Sequence, residues 1–186
     1  MTEQDTKHRC RWCNLSNPLY VKYHDEEWGR PLHDDQRLFE MLILECFQAG
    51  LSWECVLNKR EAFRKAFDGF EVETVSKYDE TKVEALLKNK DIIRNILKIN
   101  ASIINAKVFL EIQKQYETFD SYIWSFTERK TIYEEHRTSS PLSDTISKDL
   151  KKRGMKFVGT TIIYAYLEAI GLLNTHEKFC YLHRTA

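Results

Sequence analysis

The sequence predicts a compact all-α fold, and three observations support this prediction. Apolar residues recur at helical spacing along most of the 186 residues. Strand signals are nearly absent, and the best of them, KTIYEE at 130–135, stands alone. Only three prolines occur, and no flexible linker, repeat or low-complexity segment divides the chain. We therefore expect a single domain over residues 1–186.

The first predicted helix lies in the segment DDQRLFEMLILECFQAG. Asp34 or Asp35 is suited to cap its start, and Gly50 to end it. Five residues at i, i+3, i+4 and i+7 spacing form its inward face: Leu38, Met41, Leu42, Glu45 and Ala49.

Three further helices are predicted in the middle of the chain. SWECVLNKREAFRKAFDG has a stripe that includes Trp53, Val56 and Phe67, and ETKVEALLKN predicts a short helix. A long helix over 92–115 follows, with apolar residues recurring from Ile92 to Leu110.

The last third predicts three more helices. FDSYIWSF is typical of a short helix, and LSDTISKDLKKRG begins with a Ser/Asp cap and stops at Gly154. TTIIYAYLEAIG ends at Gly171. Both ends of the chain look irregular, and the mix of aromatic, acidic and histidine side chains in YVKYHDEEWG fits neither helix nor strand periodicity.

Composition excludes several classes of protein. The 28 basic and 28 acidic residues balance, which argues against a protein that coats nucleic acid everywhere. No apolar run is long enough to span a bilayer, and MTEQDTKHRC lacks the apolar segment of a signal peptide. Five cysteines, two of them inside helical patterns, do not indicate a disulfide framework. We expect a cytoplasmic monomer without membrane contact.

Glu45 is the most informative single residue because its charge falls in an apolar stripe. One interpretation is a partly exposed acid at the edge of the stripe, bonded to a neighbouring helix. The other is a buried carboxylate that awaits a ligand carrying hydrogen-bond donors or positive charge. In the following QAGLSW, a tight turn at Gly50 and a cap at Ser52 would bring Trp53 close to the end of this helix.

Cysteines and histidines at the two ends of the chain indicate a metal site. His176 and Cys180 are spaced one helical turn apart, so both can reach one ion. Two more ligands can come from Cys10, Cys13 and His24, and spacing alone does not decide among them. With four protein ligands the ion would be a structural zinc that joins the chain ends and performs no hydrolysis.

Taken together, these motifs resemble the bacterial DNA-3-methyladenine glycosylase I family of the helix-hairpin-helix glycosylase superfamily. The matching stretches are CRW, NPLYVKYHDEEWG, LFEML, LECFQAGLSW, LKKRGMKFVGTT and the His-x3-Cys end, in order from residue 10 to 180. The resemblance implies one structural zinc bound by Cys10, His24, His176 and Cys180. It also implies a base pocket in which Glu45 binds the adenine edge between rings of Trp12, Tyr20, Tyr23, Trp28 and Trp53.

These residue types suit that reaction. A purine methylated at N3 is positively charged and its glycosidic bond is weak, so the enzyme needs chiefly to select the base, flip it out and hold it. Aromatic faces favour a cationic ring by about 0.5–2 kcal/mol each, and a buried carboxylate accepts hydrogen bonds from the adenine edge. No second acid stands out in the sequence as a water-activating base, and no lysine is favoured as a Schiff-base nucleophile. We therefore expect a monofunctional enzyme that leaves an abasic site in alkylated double-stranded DNA and releases free 3-methyladenine.

Two basic clusters predict DNA contact. One contains Lys88, Lys90, Arg94 and Lys98. The other contains Lys148, Lys151, Lys152, Arg153 and Lys156, followed by backbone donors at Gly159 and Thr160. The resemblance implies that Leu51, beside Gly50, fills the gap left by the flipped base. Each cluster taken alone is also compatible with an ordinary solvated helix face.

Two departures from the family pattern keep an alternative open. Asp91 stands where the family usually has a hairpin glycine, and an acid is unfavourable in a phosphate-binding turn; Cys46 and Phe47 replace residues that are more often small or polar. The alternative is a non-catalytic, zinc-stapled helical module that binds DNA lesions. A redox or metal-storage protein built on Cys10 and Cys13 is a third interpretation.

Overall fold

The computed structural model describes residues 7–185, and the predicted helical class is confirmed there. Its helices are α1 (Pro18–Glu26), α2 (Asp35–Gln48), α3 (Trp53–Leu57), α4 (Arg60–Ala66), α5 (Val72–Ser76), α6 (Glu80–Lys88), α7 (Ile96–Tyr116), α8 (Phe119–Ser125), α9 (Pro141–Lys152) and α10 (Thr160–Ala169). A 3-10 turn spans Asp68–Phe70, and two short strands are β1 (Ile132–Tyr133) and β2 (Leu173–Asn174). None of the described helices has the length and apolar character needed to cross a bilayer.

Helix α2 lies at the centre of the fold. Asp34 caps it by accepting a hydrogen bond from the backbone N–H of Arg37 at 2.9 Å. Every residue from position 38 to 47 is buried, because α3, α7, α8 and α10 all pack against this helix. More of the helix surface is therefore buried than the single apolar face that was predicted. Glu45 is buried with its neighbours and does not lie at the exposed edge of a stripe.

Local capping explains where three helices begin. The region read as aperiodic is helix α1, which Asn17 caps through a 3.1 Å bond from the N–H of Leu19 and which has Pro18 at its first position. The long helix starts at Ile96 instead of residue 92, because the side chain of Asn95 caps it. Helix α9, by contrast, starts earlier than predicted, since Ser140 forms a capping box.

The strand predicted in KTIYEE forms as β1 and has a partner strand. β1 pairs in parallel with β2, with Ile132 opposite Leu173. Ahead of β2, Gly171 has φ of +71°, and a Cβ atom there would lie 2.0 Å from the carbonyl carbon of Arg30. This close approach fixes the C-terminal segment beside the end of α1.

A seven-residue connection, 153–159, joins α9 to α10, which pack against each other. Asn105 holds it at both backbone groups of Lys156, accepting from N–H at 2.8 Å and donating to C=O at 2.9 Å. The Cys46 thiol donates to the carbonyls of Lys156 and Phe157 at 3.8 and 3.5 Å. The connection is thus fixed against α2 and α7.

The buried apolar side chains form one cluster that extends from Cys10 to Cys180. Residues 1–6 and 186, which the domain expected over 1–186 includes, lie outside the described part.

Candidate functional site

A small cavity lies between α1, α2, α3 and α10. Its volume is about 210 Å³, below the roughly 300–1,000 Å³ of sites for drug-sized ligands. It is therefore scaled to a single ring system. The structure brings all six predicted pocket residues to its walls: Trp12, Tyr20, Tyr23, Trp28, Glu45 and Trp53.

Two polar groups in the cavity wall lack partners. Glu45 is 2% exposed, and its Oε2 atom is buried without a hydrogen bond from any described residue. The indole Nε1 of Trp53 is likewise buried and unpaired. Burial, and then the nearby charge of Glu168, raise the pKa of Glu45 well above its ordinary value. A buried acceptor and a buried donor that the protein leaves unpaired indicate a ligand with complementary groups.

Aromatic rings pack around these groups at contact distances. Trp12 lies 4.7 Å from Trp28 in an edge-to-face arrangement and 5.3 Å from Tyr20, measured between ring centroids. Tyr23 lies 5.2 Å from Trp53. Burial raises the pKa of Tyr20 to about 12, so its hydroxyl stays a neutral donor. The rings therefore form a pre-built slot with electron-rich faces.

The structure places a second acid, Glu168, in this cavity beside Glu45. Glu168 is buried in the last turn of α10 and lines the wall together with Gln48, His136 and Ala165. The sequence analysis missed these four residues. For Glu168 a signal was present, because it is the one acid in the apolar segment TTIIYAYLEAIG; His136 lies in a loop and becomes recognisable only in three dimensions.

A second cluster joins the two ends of the chain. Ligand-capable atoms of Cys10, His24 and Cys180 all lie within 4.8 Å of one another, and the three residues are buried. The ring of His176 lies 5.2 Å from that of His24, centroid to centroid. Cys13 falls outside this group, with its thiol 3.9 Å from the carbonyl oxygen of Tyr20.

The surroundings of both imidazoles fit a metal ion. His176 Nδ1 bonds to Asn174 Oδ1 at 3.0 Å, and Nε2 is buried without a partner among the described residues. His24 Nδ1 bonds to Asp25 Oδ1 at 2.8 Å, which turns Nε2 towards Cys180 Sγ at 3.5 Å. For His176, an oriented ring with one nitrogen left free is the arrangement expected of a metal-ligating histidine. The Nε2 atom of His24 also accepts a hydrogen bond from the backbone N–H of Cys10 at 3.2 Å.

A glycine and a buried environment support the position of His176. Gly29 has φ of +71°, and a Cβ atom there would lie 2.8 Å from His176 Cε1, so a larger residue would displace the ring. Burial lowers the pKa of His176 to about 4, so its imidazole is neutral near pH 7, the form that binds metal.

The predicted DNA-contact residues lie at the end of α2 and around the start of α10. Gly50, with φ of +78°, ends α2, and Leu51 follows it with 42% of its surface exposed. Gly159 caps α10 without a side-chain hydrogen bond, so backbone donors at the helix start around Thr160 remain available to an anion.

Three of the predicted basic contact residues near the start of α10 are exposed: Lys151, Lys152 and Lys156. Arg153 differs, because its guanidinium pairs with Asp149 at 2.7 Å and lies 5.5 Å from the ring of Tyr116. Its charge is therefore engaged within the protein.

In the other basic segment, Lys98 differs from the prediction. Lys98 is buried, and its ammonium donates to the carbonyls of Phe47 and Ala49 at 2.9 and 2.6 Å. The expectation that it is solvated or phosphate-facing is wrong, because it caps the end of α2. The backbone N–H of Asp91 donates to Asn89 Oδ1 at 2.9 Å and is not free for a phosphate.

Comparison with known proteins places these features in context. The model of the methyladenine glycosylase family matches residues 12–183. DNA-3-methyladenine glycosylase 1 of Escherichia coli K12 is 46% identical over 178 residues, which cover 92% of this chain and 95% of that protein. A crystal structure of 3-methyladenine DNA glycosylase I superposes with a TM-score of 0.91 at 44% identity, covering 95% of this chain and all of the other. A variant of 3-methyladenine DNA glycosylase I, in complex with 3-methyladenine, gives a TM-score of 0.90 at 33% identity, with 95% and 98% covered.

Proposed function

This chain belongs to the methyladenine glycosylase family, and from that premise we propose that it excises 3-methyladenine from alkylated DNA by hydrolysing the N-glycosidic bond. The observation that carries the proposal is the unpaired carboxylate oxygen of Glu45, which is buried beside the unpaired indole N–H of Trp53 in a base-sized aromatic cavity. That pairing of acceptor and donor suits the edge of a purine.

The reaction needs little assistance at the leaving group. The methylated base carries its own positive charge and departs as a neutral molecule, so the protein acts by selecting and holding the flipped base. Glu45 accepts hydrogen bonds from the adenine edge and favours the cationic form, while Tyr20, Tyr23 and Trp53 stack on its faces or border them. Trp12 and Trp28 close the slot, since their rings pack edge to face. Water then attacks the sugar, and an abasic site remains.

The proposed DNA-binding surface is centred on the start of α10 and on the 153–159 connection that precedes it. The uncapped N–H groups at Gly159 and Thr160 bind a phosphate, and Lys151, Lys152 and Lys156 add positive charge beside it. Arg153 holds the connection against Tyr116 and Asp149. The exposed Leu51 enters the space vacated by the flipped base.

A structural zinc ion joins the chain ends in this proposal. Cys10, His24, His176 and Cys180 supply four ligands of the types that zinc prefers, and the orphaned Nε2 of His176 supports the fourth position. With all four positions filled by protein, the ion contributes folding free energy and takes no part in the reaction. By fixing the segments next to Trp12 and Trp28, it also steadies two walls of the cavity.

Base release from methylated DNA tests the function. Duplex DNA treated with a methylating agent is incubated with the protein, and the freed bases are separated by chromatography. We expect release of 3-methyladenine and strand scission only after alkaline treatment, as for a glycosylase without lyase activity. Tight binding with no release would instead identify a non-catalytic lesion-binding module.

A further inference from the structure

The second carboxylate in the base cavity is held in place from two directions. Glu168 Oε1 accepts a hydrogen bond from His136 Nδ1 at 2.7 Å and another from the hydroxyl of Thr175. Both bonds from described residues end on Oε1, and the side chain lines the cavity. The carboxylate is thus oriented by these two bonds.

This position is unfavourable for an acid on structural grounds. Glu168 is 4% exposed and occupies the last turn of α10, where the helix dipole disfavours negative charge. It also shares the cavity with Glu45, and its charge acts against ionisation of that residue. Two acids in one small, partly dry space destabilise the empty protein. Such violations of local rules are expected at functional sites.

The unpaired atoms in the cavity wall indicate which kind of ligand offsets this cost in stability. The unpaired Glu45 Oε2 and Trp53 Nε1 atoms indicate that the cavity binds a ligand. A neutral purine would pair with them but would gain little from the charge of the second carboxylate, whereas a cationic purine would interact favourably with both acids. The methylated nucleobase in DNA is a cation, and the base released from it is neutral.

We propose that Glu168, oriented by His136 and Thr175, is a specificity-determining residue that makes the cavity select a positively charged purine over a neutral one. This inference rests on the proposed function and adds to it a separate role for each of the two acids. Glu45 reads the hydrogen-bonding edge of the base, and Glu168 supplies charge. His136 lies where the cavity meets the larger surface groove near the chain ends, so it holds the carboxylate from the solvent side.

The test is Glu168→Gln, which keeps the size and the hydrogen-bond acceptor and removes the charge. We expect kcat/KM for release of 3-methyladenine from methylated duplex DNA to fall about tenfold. Affinity for free, neutral 3-methyladenine, followed by tryptophan fluorescence, should change less than about twofold. A purely structural role would weaken both together, and an unchanged kcat/KM would also overturn the inference.

Glu134→Gln is the matched control. This substitution removes the same charge as Glu168→Gln. The Glu134 carboxylate accepts a hydrogen bond at 2.9 Å from the hydroxyl of Tyr164, a residue of α10, and Glu134 lies outside the base cavity. We expect both of its constants to match those of the unsubstituted protein. Equal losses in the two variants would attribute the effect to net charge and refute the proposal.

A second variant, His136→Ala, tests the proposal if the Glu168→Gln protein does not fold. His136 is largely exposed, so His136→Ala should leave the fold intact while releasing one restraint on Glu168. We expect a smaller loss of kcat/KM, about threefold, with binding of the free base unchanged; an unaltered kcat/KM would contradict the proposal. If the unsubstituted protein releases no base, the proposed function itself fails, which separates the two claims.

Discussion

Glu45 has one carboxylate oxygen without a partner in the most deeply buried stretch of α2. Burial raises its pKa, so in the folded protein the carboxyl group binds its proton more tightly than in the unfolded chain. The free energy of unfolding must then fall as pH rises from about 4, the value for an unfolded glutamate, through the folded-state pKa. The site therefore lowers stability at neutral pH in exchange for binding.

We predict that Glu45→Gln stabilises the protein by about 1–3 kcal/mol at pH 8, the range for a buried polar group without a partner. At about pH 3 the difference should nearly vanish, because the carboxyl group is then protonated in both states. Urea unfolding followed by circular dichroism at both pH values measures this. Glu111→Gln, on an exposed pair with Lys114, serves as the control and should change stability by less than about 0.5 kcal/mol. A destabilised Glu45→Gln at pH 8 would show that the carboxylate is better satisfied than we infer.

The sequence predicted the residues of the cavity better than their surroundings. Glu45 was recognisable because a charge in an apolar stripe violates helical patterning, and the aromatic residues followed from the resemblance. Glu168 violates the same pattern in α10, but its partner His136 comes from a loop, and no local rule links the two positions. Lys98 also escaped prediction, because an apolar stem with a basic head fits a solvated helix face as well as a cap on another helix.

At the scale of elements, the end of α2 depends on a side chain from α7. The ammonium of Lys98 satisfies the carbonyls of Phe47 and Ala49, which have no partner within their own helix. These carbonyls immediately precede the Gly50 turn and Leu51. Lys98 therefore fixes both the helix that carries Glu45 and the loop proposed to enter DNA.

We expect Lys98→Met to lower the free energy of unfolding by about 1.5–3 kcal/mol, since two charge-assisted hydrogen bonds are lost and the carbonyls stay buried. Lys107→Met, at an exposed position of the same helix, provides the comparison and should have little effect. Chemical denaturation of the two variants side by side measures the difference. Equal stabilities would mean that water replaces the ammonium without cost.

Helix boundaries were set by caps more often than by apolar periodicity. Periodicity placed the start of the long helix at residue 92, whereas Asn95 begins it at Ile96, and Ser140 begins α9 ahead of the predicted Ser/Asp pair. The parallel pairing of β1 with β2 involves only two residues in each strand. Such short strands carry no sequence pattern, so only tertiary contacts define them.

At the scale of the whole molecule, the two chain ends meet beside the base cavity. The backbone N–H of Tyr181 donates to the carbonyl of His8 at 2.8 Å, and Cys10 and Cys180 lie in one buried cluster. These segments contain little regular structure, so a metal ion would provide stabilisation that their own packing lacks.

We predict one zinc ion per chain by elemental analysis and its loss in Cys180→Ser. Tm should fall by about 5–15 °C, as expected for losing a few kcal/mol in a domain of this size. Cys55→Ser, at a half-buried thiol in α3 outside the cluster, should retain both the ion and the Tm. A zinc-free protein with the same Tm as its Cys180→Ser variant would refute the metal site.

The central claim is that an unpaired, buried carboxylate among aromatic rings binds the alkylated base. Titration of the protein with 3-methyladenine, followed by quenching of tryptophan fluorescence, tests it most directly, because Trp12, Trp28 and Trp53 line the cavity. We predict that Glu45→Gln weakens Kd at least about tenfold, in line with the loss of a charge-assisted hydrogen bond. An unchanged Kd in a folded Glu45→Gln protein would contradict the claim.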